Sequence, residues 1–373
     1  MKSSLRHNLR ITSLLADVHR RTGFADAFTH LHTGLPADGP RVVLTAVLAD
    51  ATNLGLTRMA GACSVASYQR LAWTAGWHLR DDTYRQALAT LVNAQQRQPL
   101  ATLFGAADVS SSDGQHFLTA GQGEALGAHN ARHGREPSSL FYTHHSARHA
   151  PFHAAAIPPA GEAAYVVDGL LYHEADLSIV THHTDSGGVS DHTFALMHLL
   201  GHQLAPRIPN LADRRLYAVG PASTWPTLEL FIAGQPSDKL IAAHWDDVLR
   251  LTTSVRTGAV SASLMLKRLG AYPRQNGLAL ALREIGRTER TLVYLGLART
   301  AAAPEADHGG AEQRREPQRA IPRRVLPPAR APARPHHRGA AAPSERAGAG
   351  DGRNFLVEHG LPRPRARCPT PTR

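Results

Sequence analysis

The apolar positions of this chain change their spacing near residue 100. Before that point they recur at helical intervals: Ile11, Leu14, Leu15 and Val18 share one face, and Gly23 closes the run. Val42–Met59 and Asp81–Val92 read the same way, the second opening on two aspartates whose charge favours a helix N-terminus. Beyond residue 100 the runs shorten. Ala101–Ser110 and His116–Ala120 predict strands on either side of a turn at Asp113, and Ser139–His145 and Phe152–Ile157 predict two more. Glu162–Glu174 returns to helical spacing through Tyr165, Leu170 and Leu171, and Leu177–His182 is the next strand, running out at Asp185. A helix over Asp191–Gly201, extended pieces at Gln203–Ile208 and Arg215–Val219, and helices over Ser261–Leu269 and Gly277–Ile285 follow. Strands with one helical crossover in this order predict an α/β fold around a sheet of mixed direction. Regular patterning stops near Leu297. The expected organisation is a helical segment over residues 1–100, a core over 101–298 and a low-complexity, disordered tail over 299–373.

Charge changes this picture less than it first promises. Of the net +11, +8 belongs to the 75 residues from Arg299 to Arg373, which hold 15 Arg, no Lys and 12 of the 25 prolines. A basic tail of that kind binds phosphate without sequence preference, so the charge says little about the body of the chain. Cys63 and Cys368 are the only cysteines, too few for a disulfide framework or a cysteine zinc site. No stretch of 18 apolar residues predicts a membrane span, Met1–Arg10 is charged rather than leader-like, and a reducing cytoplasm fits.

Candidate chemistry concentrates in SSSDGQHF (Ser110–Phe117) and HHTDSGGVSDHTFALMHLLG (His182–Gly201). Each sets an aspartate, Asp113 or Asp185, where an apolar run gives way to small residues that leave the carboxylate open. An aspartate before glycine is ordinarily a turn residue bonded to its own backbone. Two such breaks are also what is needed to hold hard divalent cations, which take oxygen ligands and few protein groups. Asp191 directly precedes the apolar helix and reads as its N-cap, so Asp185 is preferred as the ligand. Asp168 and Asp176 read as surface or capping residues. The 23 histidines, among them His144, His145, His149, His153, His182 and His183, raise zinc as an alternative. HExxH and paired-cysteine spacings are absent, and successive histidines in a strand face opposite ways, so zinc is not favoured. Neither GxGxxG nor a Walker motif occurs, Gly121–Gly123–Gly127 reads as a loop, and Ser110–Ser112 lacks a GxSxG context.

Those two stretches, together with FYTHHSARHAPFHAAAIP, YVVDGLLYHEADLSIVTHHTDSGGVSDHTFALMHLLG, LAPRIPNLADRRLY and SASLMLKRLGAYPRQNGLALALREIGRTERTL, resemble the catalytic domain of the Tn3 family of replicative transposases from about Leu9 to Leu292. The resemblance implies an RNase H-like fold and an Asp-Asp-Glu site with two Mg²⁺ or Mn²⁺ ions. It also implies nicking at transposon ends, transfer of the 3′-hydroxyls to target DNA, and DNA and other transposase protomers as partners. The family's first acid falls on Asp113 and its second on Asp185.

Two departures carry expectations of their own. The family's long N-terminal DNA-binding regions have no counterpart here, so recognition of transposon ends is expected to be missing. The third acid's LNxGExRNALARA-like segment is also absent. A frameshift accounts for that: PEADHGGAEQRREPQRA, read one base later from GC-rich codons, can yield RRRITAGLN followed by NGESRNA, and NFLVEHGLP can conceal SSWNTVY. The lost glutamate would then lie under Arg315 and Glu316. The chain alone is expected not to transpose unless another acid, such as Glu284 or Glu289, completes the site, though both read as exposed helix residues. The alternatives are a non-catalytic fragment that pairs with intact transposase and inhibits it, and a stand-alone metal-dependent nuclease.

Overall fold

The computed structural model describes residues 10–118, 138–158, 161–207, 214–271 and 276–302. Helices come first, as the spacing predicts: α1 (Ile11–Thr22), α2 (Pro40–Ala51), α3 (Leu56–Ala62), α4 (Tyr68–His78) and α5 (Asp81–Gln96). Gly23 ends α1 in the left-handed conformation that glycine adopts without steric cost. The single helix expected over Val42–Met59 is two, because Asn53 and Gly55 both take positive φ and turn the chain between α2 and α3. α4 answers to no sequence expectation. Two small cores hold this region, one around Phe24, Phe28 and Val43 and one around Ala46, Met59 and Leu71.

The strand expected over Ala101–Ser110 is not formed: Pro99–Leu103 is a short 3-10 helix. β1 (Val109–Leu118) instead runs without a break through Asp113, followed by β2 (Ser138–Ser146) and β3 (Pro151–Ile157). Asp113 is therefore a mid-strand residue paired with Thr143, not a turn. Neighbouring strands on both sides impose extension on a Ser/Asp/Gly stretch whose intrinsic strand preference is weak.

The helix expected over Glu162–Glu174 divides into a 3-10 turn (Glu162–Ala164) and α6 (Val166–Leu171). β4 (Thr181–Thr184), α7 (Asp191–Leu199), β5 (Gln203–Pro206), β6 (Leu216–Tyr217) and β7 (Ile232–Gly234) come next. The chain then continues through α8 (Asp238–Ala243), α9 (Trp245–Arg256), α10 (Ala262–Ala271) and α11 (Gly277–Ala302). α11 extends well past the expected end at Ile285.

The main sheet has the order β3-β2-β1-β4-β5, antiparallel on the β3 side of β1 and parallel on the β5 side. This is the mixed α/β sheet that the patterning predicts. Its interior face rests on the largest core, where Leu140, Tyr142 and Phe152 meet Val166, Val167 and Leu170 of α6 and Phe194–Met197 of α7. α11 covers α7 so closely that a Cβ on Gly286 would lie 1.7 Å from the carbonyl oxygen of Asp191. Among the described residues no helix is long and apolar enough to cross a membrane. Gly121–Gly123–Gly127 and the tail beyond Ala302 lie outside the described residues.

Candidate active site on β1 and after β4

Strand alternation divides the site residues into two sets. Ser110, Ser112, Tyr142, His144, His182 and Thr184 are buried, while Ser111, Asp113 and Asp185 are exposed. β1 and β4 are parallel neighbours, with Ser111 opposite His183 as their last paired position. Asp113 and Asp185 each lie two residues further along, so the two carboxylates leave adjacent strands on the same side. Asp185 has just cleared the end of β4, where Ser186–Gly188 forms a 3-10 turn.

Backbone N–H groups orient both acids. Asp113 Oδ1 accepts from Gly114 at 2.8 Å, and Asp185 Oδ1 accepts from Gly187 at 3.0 Å and Gly188 at 3.2 Å. Steric room is required at Gly188, whereas at Gly187 the close neighbour is the flexible end of a glutamate side chain. A Cβ on Gly188 would sit 2.1 Å from Thr184 Oγ1, and one on Gly187 would sit 2.9 Å from Glu162 Oε2. Glu162 is thus a third carboxylate at this corner, one to which the sequence reading gave no role. The Gly-Gly pair after Asp185 was the available signal, since paired glycines mark a close approach of other groups.

Electrostatics tie the three together. The Asp113 carboxyl is raised above its ordinary value by burial against the strand, opposed by the Gly114 N–H and reinforced by the charge of Asp185. Glu162 is raised by burial and then by Asp185 and Asp113. None of the three forms an ion pair with a Lys, Arg or His among the described residues. Among those residues, no three His, Cys, Asp or Glu side chains are gathered so as to hold a metal ion. Anionic, all-oxygen and without an ion pair among the described residues, the two exposed aspartates fit a hard cation such as Mg²⁺ or Mn²⁺.

The other candidates go elsewhere. Asp191 is not the N-cap of α7; Ser190 is, its Oγ accepting from Thr193 N at 3.1 Å. Asp191 in the first turn instead takes Arg290 and Arg287 of α11. Asp168 Oδ1 caps α10 by accepting from Ser263 N at 3.1 Å, and Asp176 bonds Asn93. Glu284, expected to be exposed, is 4% accessible and accepts from Arg287 at 2.6 Å; Glu289 pairs with His198. His144 and His182 are interior and stacked at 5.3 Å, and burial holds His182 down to about 3. His182 Nδ1 and Nε2 each lie 2.8 Å from a hydroxyl, those of Ser110 and Ser112, and Ser112 Oγ bonds Tyr142 OH at 2.7 Å. These histidines are occupied with holding the strands together.

Residues 13–302 match the family described as the Tn3 transposase DDE domain. The chain is 48% identical over 309 residues to the transposase for transposon Tn501 of Pseudomonas aeruginosa, covering 83% of this chain and 31% of that protein. It is 50% identical over 289 residues to the transposase for transposon Tn21 of Escherichia coli, covering 77% and 29%. It is 38% identical over 290 residues to the transposase for transposon Tn1546 of Enterococcus faecium, covering 77% and 29%. The chain thus spans about 30% of the length of these relatives.

Proposed function

Because the chain belongs to the Tn3 transposase DDE-domain family, we propose that it carries the phosphodiester chemistry of DNA transposition, with Asp113 and Asp185 as its metal-binding carboxylates. The reaction class is nicking at transposon ends followed by joining of the freed 3′-hydroxyls to target DNA. Transposon-end DNA, target DNA and other transposase protomers are the partners this reading implies, and the bacterial cytoplasm is its place. An RNase H-like arrangement is its fold, supported by the mixed sheet with Asp113 midway along β1 and Asp185 just past the end of neighbouring β4.

The observation that carries the reading is the emergence of Asp113 and Asp185 from parallel strands on the side away from the core. Mg²⁺ or Mn²⁺, when bound, supplies activation of the attacking oxygen and stabilisation of the leaving oxygen. The chain's own part is to hold the acids in place. Central β1 fixes one, and the Gly187 and Gly188 amides fix the other by bonding one oxygen of Asp185. This pre-orientation matters because small misplacements of catalytic groups cost orders of magnitude in rate.

Turnover by the chain alone is expected to be very low, so metal binding is the primary readout and strand transfer the second. The full chain is titrated with Mn²⁺ and incubated with duplexes bearing a free 3′-hydroxyl end. Mn²⁺ binding that weakens at least tenfold in both Asp113→Asn and Asp185→Asn, together with loss of any joining in those variants, is the expected result. Wild-type Mn²⁺ affinity in both variants would overturn the reading.

A further inference from the structure

The exterior face of β1 and β2 carries more than a carboxylate. Alternation sets Ser111, Asp113, Gln115 and Phe117 of β1 on that face, with His145, Thr143 and Phe141 of β2 beside them. Phe141 lies between Leu140 and Tyr142, both buried, yet is itself 43% exposed. Its ring meets that of Phe117 edge to face, at 5.2 Å and 81°. Its partner on β3 is Ala156, also exposed, whose single methyl cannot cover the ring. Toward Asp113 the face turns polar again through Gln115, Thr143, Ser111 and His145. The two rings and the alanine thus form a small apolar island. It is far smaller than the roughly 800 Å² that each partner gives to a stable protein interface. An island of that size suits one planar ring.

Position ties the island to the chemistry. Phe141 is opposite Gln115, two residues beyond Asp113 on the same face, or about 7 Å along the strand. Two steps of a stacked DNA strand span about the same length. A phosphodiester held beside Asp113 therefore has a base within one or two nucleotides of Phe141. We propose that Phe141, propped by Phe117, stacks an unpaired base of the DNA strand whose phosphodiester lies at Asp113. The inference rests on the reading of Asp113 and Asp185 as the site of phosphodiester chemistry, and adds a surface that holds the strand there. Stacking of this kind tolerates any sequence, because every base has a π-face. A purely structural aromatic pair would stabilise the β1–β2 ladder and be indifferent to DNA.

The test uses the purified full chain and two duplexes that differ only in a short unpaired 3′ end, one of thymidines and one of abasic sugars. Both ends keep their phosphates, so the ratio of the two affinities reads stacking and is blind to backbone contacts of the Arg-rich tail. Wild type is expected to bind the thymidine end about tenfold tighter. Phe141→Ala should bring the two affinities to within about twofold of each other, and Phe141→Tyr should keep the wild-type ratio. Phe141→Leu should lose the preference although it leaves an apolar side chain on the ladder, and it decides the matter should Phe141→Ala not fold. Equal binding of both ends by wild type, or a wild-type ratio in Phe141→Leu, overturns the inference. If Asp113→Asn still loses Mn²⁺ binding in either case, the stacking surface alone falls. Wild-type Mn²⁺ affinity in Asp113→Asn overturns the metal reading and, with it, the place of the phosphodiester beside Phe141.

Discussion

Two faces of one sheet, a single residue apart in sequence, follow opposite rules. On the interior face the polar groups of Ser110, Ser112, Tyr142, His182 and Thr184 bond one another in a chain of contacts between 2.7 and 3.4 Å. No charge is left there: burial holds His182 neutral and pushes the Tyr142 hydroxyl up to about 12. On the exterior face Asp113 and, just past β4, Asp185 carry negative charge with only backbone amides and the influence of His145 to offset it. A satisfied network stabilises a fold, and an unsatisfied one gives up stability for something else. On the proposed reading, the exterior side serves the chemistry and the interior side is scaffolding.

The largest effect on stability should come from breaking the interior face. A Cβ on Gly169 of α6 would fall 2.1 Å from the His144 ring, which is fully enclosed and bonded through Nε2 to the Val166 carbonyl at 3.0 Å. Gly169→Ala is expected to cost about 3 kcal/mol, the upper part of the overpacking range, because neither the ring nor α6 has space to yield. Urea denaturation measures it; a cost below about 1 kcal/mol would mean that α6 and β2 slide apart freely, and the interior face would then be softer than its packing implies.

Adjacent residues sharpen the comparison next. Ser112→Ala leaves His182 Nε2 unpaired and Tyr142 OH with only its longer contact to Thr184, and should cost about 2 kcal/mol, within the penalty for a buried unpaired group. Mn²⁺ affinity in that variant should stay within about threefold of wild type. Asp113→Asn is the mirror image: metal-free stability level or higher, Mn²⁺ affinity lost. If the two variants behaved alike in both measurements, the division of labour between faces would be false.

Acid should unfold the interior side first. His182 titrates near 3 in the fold against an ordinary 6.5, so the unfolded chain takes up a proton that the folded chain refuses. A depressed histidine contributes stability that is whole above about pH 6.5 and is lost progressively as pH falls toward 3. The slope is up to about 1.4 kcal/mol per pH unit for each such group. His144, lowered well below its ordinary value by burial and by His182, adds to the same slope. Asp113 and Glu162 work in the other direction, since raised carboxylates are relieved by protonation. An Asp113→Asn/Glu162→Gln double variant should therefore lose stability more steeply than wild type as pH falls.

The legible part of this molecule was its alternation. Leu140, Tyr142 and His144 turn inward on β2 as period-2 patterning requires, and the strand expected over Ser139–His145 is found with one residue added at each end. The aspartates stood out because small residues follow them. Less legible was anything decided by a neighbour. SSSDGQ reads as a turn and becomes mid-strand because β2 and β4 flank it. Glu162 sits in a stretch whose helical spacing is real from Val166 onward, so nothing in the pattern detaches it from the helix. Asp191 reads as a cap by position, but Ser190 is one residue better placed and frees Asp191 for the arginines of α11.

The smallest expected effect concerns the two acids the sequence offered in place of the missing third carboxylate. Glu289 Oε2 lies 3.0 Å from His198 Nδ1, and the histidine side chain is 58% exposed, so water screens the pair. Glu289→Gln should shift stability by no more than about 0.5 kcal/mol. Glu284 is buried, but its carboxylate is already engaged by Arg287 and Arg283 of its own helix. An acid neutralised by two guanidinium groups offers little to a cation. Mn²⁺ affinity should accordingly be unchanged in Glu289→Gln and Glu284→Gln. A tenfold loss in either would mean that α11 supplies a further carboxylate to the metal, and the exterior face would have to be redrawn around that helix.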